Sequence, residues 1–149
     1  MTFLRVFALA LMALILIPSG AHLFELPGKV GLDQESYFTV QGIYAGWSLF
    51  GVPIIAAILL NISLYFIERR NHPAAARWAL VAAALTAISL GIFFIWIFPA
   101  NQATANWTTP HDNWEALRLS WEYGHAANAI LVGCAMLATS LAMVRRTTE

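Results

Sequence analysis

The chain has 149 residues, 60% hydrophobic and only 11% charged, where a soluble domain has about 45–50% and about 25%. Eight Lys and Arg balance eight Asp and Glu, so the formal net charge is zero and no nucleic acid or other strongly charged partner is implied. The lone Cys134 excludes an internal disulfide or a CxxC redox centre, which leaves an all-α integral membrane protein held in the lipid bilayer.

A spanning helix needs roughly 20 mostly apolar residues, because lipid offers the backbone amides no partners. Residues 3–24, 40–67, 74–98 and 114–144 meet that condition and predict a single four-helix transmembrane domain over 1–149. The first stretch also has signal-peptide features: Arg5, an apolar run to Ile17, then Pro18-Ser19-Gly20-Ala21. It is expected to remain as a span. Pro27-Gly28-Lys29-Val30-Gly31 reads as a turn, after which Asp33 can cap the second helix with Glu35 in its first turn. That helix carries Gly42, Gly46, Gly51 and Pro53, which predict a kink near its middle.

Arg69-Arg70-Asn71-His72-Pro73 is a polar turn into the third helix. The connection from Pro99 to His111 contains Asn106-Trp107-Thr108, a glycosylation acceptor pattern, and leads to Asp112-Asn113-Trp114-Glu115, a capping-box-like helix start. Within the last helix Cys134 reads as small core filler. Arg5, Arg69, Arg70, Arg77, Arg145 and Arg146 fall at the termini and in the middle loop, with Lys29 and Arg118 at the other end. Basic residues stay in the cytoplasm, so both termini are expected inside. In a bacterium that is the inner membrane, with Glu25, Asp33, Glu35, Asp112, Glu115 and Glu122 at the periplasmic end.

Two motifs at that outer end carry chemistry. The first helix has His22-Leu23-Phe24-Glu25 and the last has Glu122-Tyr123-Gly124-His125; residues three apart share a helix face. The two helices run in opposite directions, so the reversed motifs point alike in space. His22 lies 17 residues after Arg5 and His125 lies 20 before Arg145, about 26 and 30 Å along a helix. The imidazoles therefore stand at matching depth. His22, Glu25, Glu122 and His125 form a plausible ligand set for one transition metal, iron or copper ahead of redox-inert zinc. Glu-x-x-His is also the ligand unit of di-iron bundles, but the second and third helices offer no further outer glutamates, which favours one metal over two. The same residues also read as His–Glu struts or proton-handling pairs, or as two axial histidines of haem b.

His22, His125 and Arg118 are the candidate catalytic residues, with Arg118 either anchoring a substrate oxyanion or pairing with Glu122 four residues on. Gln41, Tyr44, Asn101 and Trp121 are candidates to line the substrate approach, while most other interfacial aromatics need no special role. His111 is expected to be exposed.

Phe98-Pro99-Ala100-Asn101, followed by Trp114, Leu117-Arg118, Trp121 and His125, resembles the signature of the anthrone oxygenase-like small membrane proteins. The stretches from His22 to Lys29 and from Tyr37 to Tyr44 resemble a bacterial branch of that group. The resemblance implies a four-helix membrane fold and oxidation of a polycyclic phenolic substrate with oxygen; Asn128 stands where many members carry a basic residue. The expected function is a membrane oxidoreductase or oxygenase acting on a lipophilic aromatic or quinol-like substrate. A haem electron carrier and a non-catalytic accessory subunit of a larger membrane complex are the alternatives, and a homo-oligomer is left open.

Overall fold

The computed structural model describes residues 2–147. The side chain of Arg146, one of the basic residues counted at the inner end, lies outside the described residues. Every regular element described is helical: α1 (Thr2–Lys29), α2 (Gln34–Gln41), α3 (Gly51–Glu68), α4 (Pro73–Ile92), α5 (Phe98–Ala103) and α6 (Trp114–Thr147). Short 3₁₀ turns at Gly42–Tyr44 and Trp47–Phe50 join α2 to α3, and a π-helical turn at Phe93–Ile97 joins α4 to α5. Four helices are long and apolar enough to cross a membrane: Thr2–Lys29, Trp47–Glu68, Pro73–Ala103 and Trp114–Arg145. This is the build of an integral membrane protein.

The long helices form a ring in which α6 packs against α1 and α4, and α3 packs against the same two. Lipid is as apolar as a leucine side chain, so close backbone approach rather than water exclusion holds such helices together. The α4–α6 seam follows that rule. Ala75, Ala76, Ala79, Ala82 and Ala83 are buried on α4, and Ala126, Ala129, Ala135, Ala138 and Ala142 on α6. Leu11, Met12 and Ile15 of α1 meet Ala57 of α3 and Val132 and Ala135 of α6 in the middle of the bundle. Cys134 is exposed on the outer face of α6 rather than filling this core, because the alanine seam turns the neighbouring positions inward.

Each span departs from its sequence boundary for a local reason. α1 runs through Pro27 to Lys29, so the expected turn there is the last turn of a helix. Proline removes one N–H, but neighbouring helices make such breaks tolerable in a membrane. The second span does not start at Val40: α2 is separate, and the chain breaks at Gly46, whose φ of 83° suits a residue without a Cβ. Asp33 caps α2 as expected, accepting from Ser36 N at 2.9 Å. The third span continues past Phe98 to Ala103. An α-helical Pro99 would press on the carbonyl of Ile95; the π-helical turn widens the helix there, with Phe98 N–H donating to Phe93 O. At the start of α6 the bonds run to His111, which is exposed, and whose Nδ1 accepts from Asn113 N at 3.0 Å.

Arg5 stands near the start of α1, at the opposite end of the bundle from His22. It is buried and paired with Glu68, its Nε donating to Glu68 Oε1 at 3.0 Å. That pair fixes the start of α1 to the end of α3 beside the 69–72 turn.

Candidate functional site

The C-terminal end of α1 and the N-terminal half of α6, with α2 and the segment after it, converge on a cluster of rings and charges. His22 and His125 meet there: their imidazoles stack with centroids 3.9 Å apart and planes 28° from parallel. Trp121, one turn before His125, packs against both at 5.0 and 4.2 Å. Tyr44 and Trp47 also pack against His22, at 4.6 and 5.4 Å. Gly124, between Trp121 and His125, lets α6 pack closely on the π-helical turn, since a Cβ there would stand 2.9 Å from Ile97 Cγ1.

The carboxylates of the two motifs turn elsewhere. Between them lies Lys29, buried at the C-terminal end of α1, where the helix dipole favours a cation. Its Nζ is 3.1 Å from Glu122 Oε1 and 3.5 Å from Glu25 Oε2, and it donates to Tyr44 Oη at 2.7 Å. It also sits 4.7 and 4.8 Å from the ring centroids of Tyr44 and Trp121. Tyr44 in turn donates to Glu25 Oε2, and Tyr37 donates to Glu122 Oε1 at 2.9 Å. Burial and then the adjoining carboxylates push both phenols well above their usual range, with Glu122 acting on Tyr37 and Glu25 on Tyr44. Both hydroxyls are therefore held as proton donors.

Among the described residues no three His, Cys, Asp or Glu are placed to hold a metal. The donor chemistry gives the reason: the ammonium of Lys29 occupies the position between the carboxylates and supplies the positive charge that a metal ion would bring. The four motif residues share one end of the bundle without sharing one coordination sphere. Face-to-face imidazoles 3.9 Å apart also leave no width for a porphyrin between them.

Other candidates divide. Arg118 does not pair with Glu122. It donates to the Leu32 carbonyl and lies 4.6 Å from the Trp114 ring and 5.6 Å from the Tyr37 ring, which ties the α1–α2 connection to α6. Asn101 serves the indoles: its Oδ1 accepts from Trp121 Nε1 at 2.9 Å and from Trp107 Nε1 at 3.2 Å. Gln41 is buried one turn from Tyr37. Four buried polar atoms near the cluster, His22 Nδ1, Gln41 Nε2, Arg118 Nε and Glu122 Oε2, have no hydrogen-bond partner among the described residues, and Asn128 Oδ1, one turn below His125, is a fifth.

Lys29, Tyr37 and Trp107 are the site residues that motif reading passes over. The signal for Lys29 is its i,i+4 spacing from Glu25, visible once α1 is carried through Pro27. No family model, curated protein or solved structure matches the chain.

Proposed function

We propose that this membrane protein binds a lipophilic phenol or quinol-like aromatic at the outer end of the bundle and oxidises it with molecular oxygen, the histidine pair acting as base. The observation that carries the reading is the stacked His22–His125 pair, walled by Tyr44, Trp47 and Trp121 and adjoining the Lys29 ammonium. His22, with an unpartnered Nδ1, takes the phenolic proton; a positioned general base of this kind contributes about 10²–10⁴-fold. Lys29 and Gln41 hold the resulting oxyanion, the role that Arg118 was expected to fill. The electron-rich anion then reacts with oxygen at a ring methylene: the CH₂ becomes a carbonyl with one oxygen atom, and the other leaves as water. Asn101 and Trp121 shape the aromatic wall. In this reading both termini lie in the cytoplasm and the site faces the periplasm from a bacterial inner membrane, which the sorting of charges supports.

The test is oxygen uptake by the purified protein in lipid nanodiscs given a polycyclic phenol with a ring methylene. One oxygen molecule should be consumed per carbonyl formed, and His22→Ala and His125→Ala should abolish turnover. No uptake above a protein-free control overturns the reading.

A second reading keeps one iron or copper ion on His22, Glu25, Glu122 and His125, favoured by the unpartnered His22 Nδ1 and Glu122 Oε2. It requires Lys29 to leave the carboxylates. Stoichiometric metal that is lost in His125→Ala but retained in His72→Ala would select it.

A further inference from the structure

The connection between α5 and α6 carries a feature that the chemistry above does not use. Ala105, Asn106 and Trp107 have φ of 48°, 58° and 63°, three consecutive residues with side chains in left-handed backbone. Such residues visit that region as isolated cases, because the Cβ crowds the following carbonyl. A network holds them there: Asn106 N donates to Asn101 O at 2.7 Å, Trp107 N to Thr104 Oγ1 at 3.0 Å, and Thr108 N and Thr109 N both to Thr104 O at 3.0 Å.

The strain aims one side chain inward. Ala105, Asn106, Thr108 and Thr109 are exposed, whereas Trp107 is 4% exposed. Its ring meets Tyr37 at 5.0 Å, Phe38 at 5.5 Å and Trp121 at 6.2 Å. Trp107 and Trp121 donate to one acceptor, Asn101 Oδ1, and Trp121 is the ring packed edge-on against both imidazoles.

We propose that residues 104–109 are a strained strap and that Trp107 is its plug, gating access to the histidine pair through Trp121. When Trp107 withdraws, the three left-handed residues relax. Trp121 then loses its backing ring and the neighbour sharing its acceptor, and turns off His22 and His125. The strain keeps opening within reach of thermal motion, and the inward ring keeps the closed state dominant. This gate concerns access to the imidazoles and holds whatever reacts there, so it stands or falls separately from the proposed oxidation.

Carboethoxylation of histidines by diethyl pyrocarbonate, followed residue by residue by mass spectrometry on the intact protein in nanodiscs, reads the gate without any substrate. Exposed His111 is the internal control. Trp107→Ala should speed modification of His22 and His125 severalfold and leave His111 unchanged. The pair Ala105→Gly and Asn106→Gly, which fits the left-handed backbone without strain, should slow modification of His22 and His125 below the wild-type rate. The glycine variant keeps the test decisive if Trp107→Ala does not fold. Glycine-variant rates for His22 and His125 equal to or above wild type overturn the proposal, as does a folded Trp107→Ala with wild-type rates.

Discussion

Lys29 Nζ stands 3.1 Å from Glu122 Oε1, joining the C-terminal end of the first span to the last span. Both groups are buried, so each depends on the other: a buried ion left without its partner costs about 3–5 kcal/mol. Lys29→Met should therefore lower the thermal midpoint in detergent markedly. Adding Glu122→Gln to it should recover much of the loss. A double variant no more stable than Lys29→Met alone would show that the pair is not coupled.

Gly124 is the point where α6 crosses the π-helical turn. Gly124→Ala puts a methyl 2.9 Å from Ile97 Cγ1, an overpacking that costs about 1–3 kcal/mol. Combining it with Ile97→Ala, which removes that atom, should be less destabilising than the sum of the two single effects. Strict additivity in thermal unfolding would mean that the two residues do not touch.

Asn101 Oδ1 is the common acceptor of two indole N–H groups. Asn101→Ala should release both, seen as a change in tryptophan emission and in the indole N–H resonances of Trp107 and Trp121. The resonance of Trp78, which packs in the separate cluster of Ala8, Leu64, Ala79 and Ala142, should stay in place.

Asp33 ties pH to the order of α2. Bonds from Ser36 N and Ser36 Oγ hold its carboxyl below the usual carboxylate range. A carboxyl depressed in the folded state stabilises above its unfolded pKa, and that contribution fades as pH falls toward the folded value. Protection of the Ser36 and Tyr37 amides, corrected for intrinsic exchange, should drop as acid titrates Asp33. Asp33→Ala should show low protection throughout and lose that pH dependence.

The even number of candidate spans and the charge sorting predict that the two ends of the chain lie together in the cytoplasm. In a Cys134→Ser background, Thr2→Cys and Thr148→Cys should be labelled by a membrane-impermeant thiol reagent only after the membrane is opened. Position 148 lies outside the described residues, so labelling is the direct measure. Reaction of either from the outside would reverse the orientation.

The parts of this architecture that depend on periodicity were legible in the sequence. Four apolar runs mark four spans, and matched depth brings His22 and His125 together because two antiparallel helices share a common rise per residue. What escaped is what depends on exceptions to local rules. Pro27 signals a turn, yet α1 continues through it and delivers Lys29 into the cluster. Four helix-breaking residues in the second stretch could not say which one bends, and the backbone turns at Gly46. The left-handed turn at Ala105, Asn106 and Trp107 contains no glycine and so carries no sequence signal. The lysine lying between the two carboxylates could not be placed from sequence, because the Pro27-Gly28 signal hides the helical turn that carries it.

The most direct measure of the central claim is the absorption spectrum of a bound lipophilic nitrophenol whose phenolate absorbs at longer wavelength than its neutral form. At a pH where the free phenol is neutral, the protein in nanodiscs should develop the phenolate band. That band should vanish in His22→Ala and weaken in Lys29→Met. A bound phenol that stays neutral, or a phenolate band that persists in His22→Ala, would contradict a histidine base beside a lysine-held oxyanion.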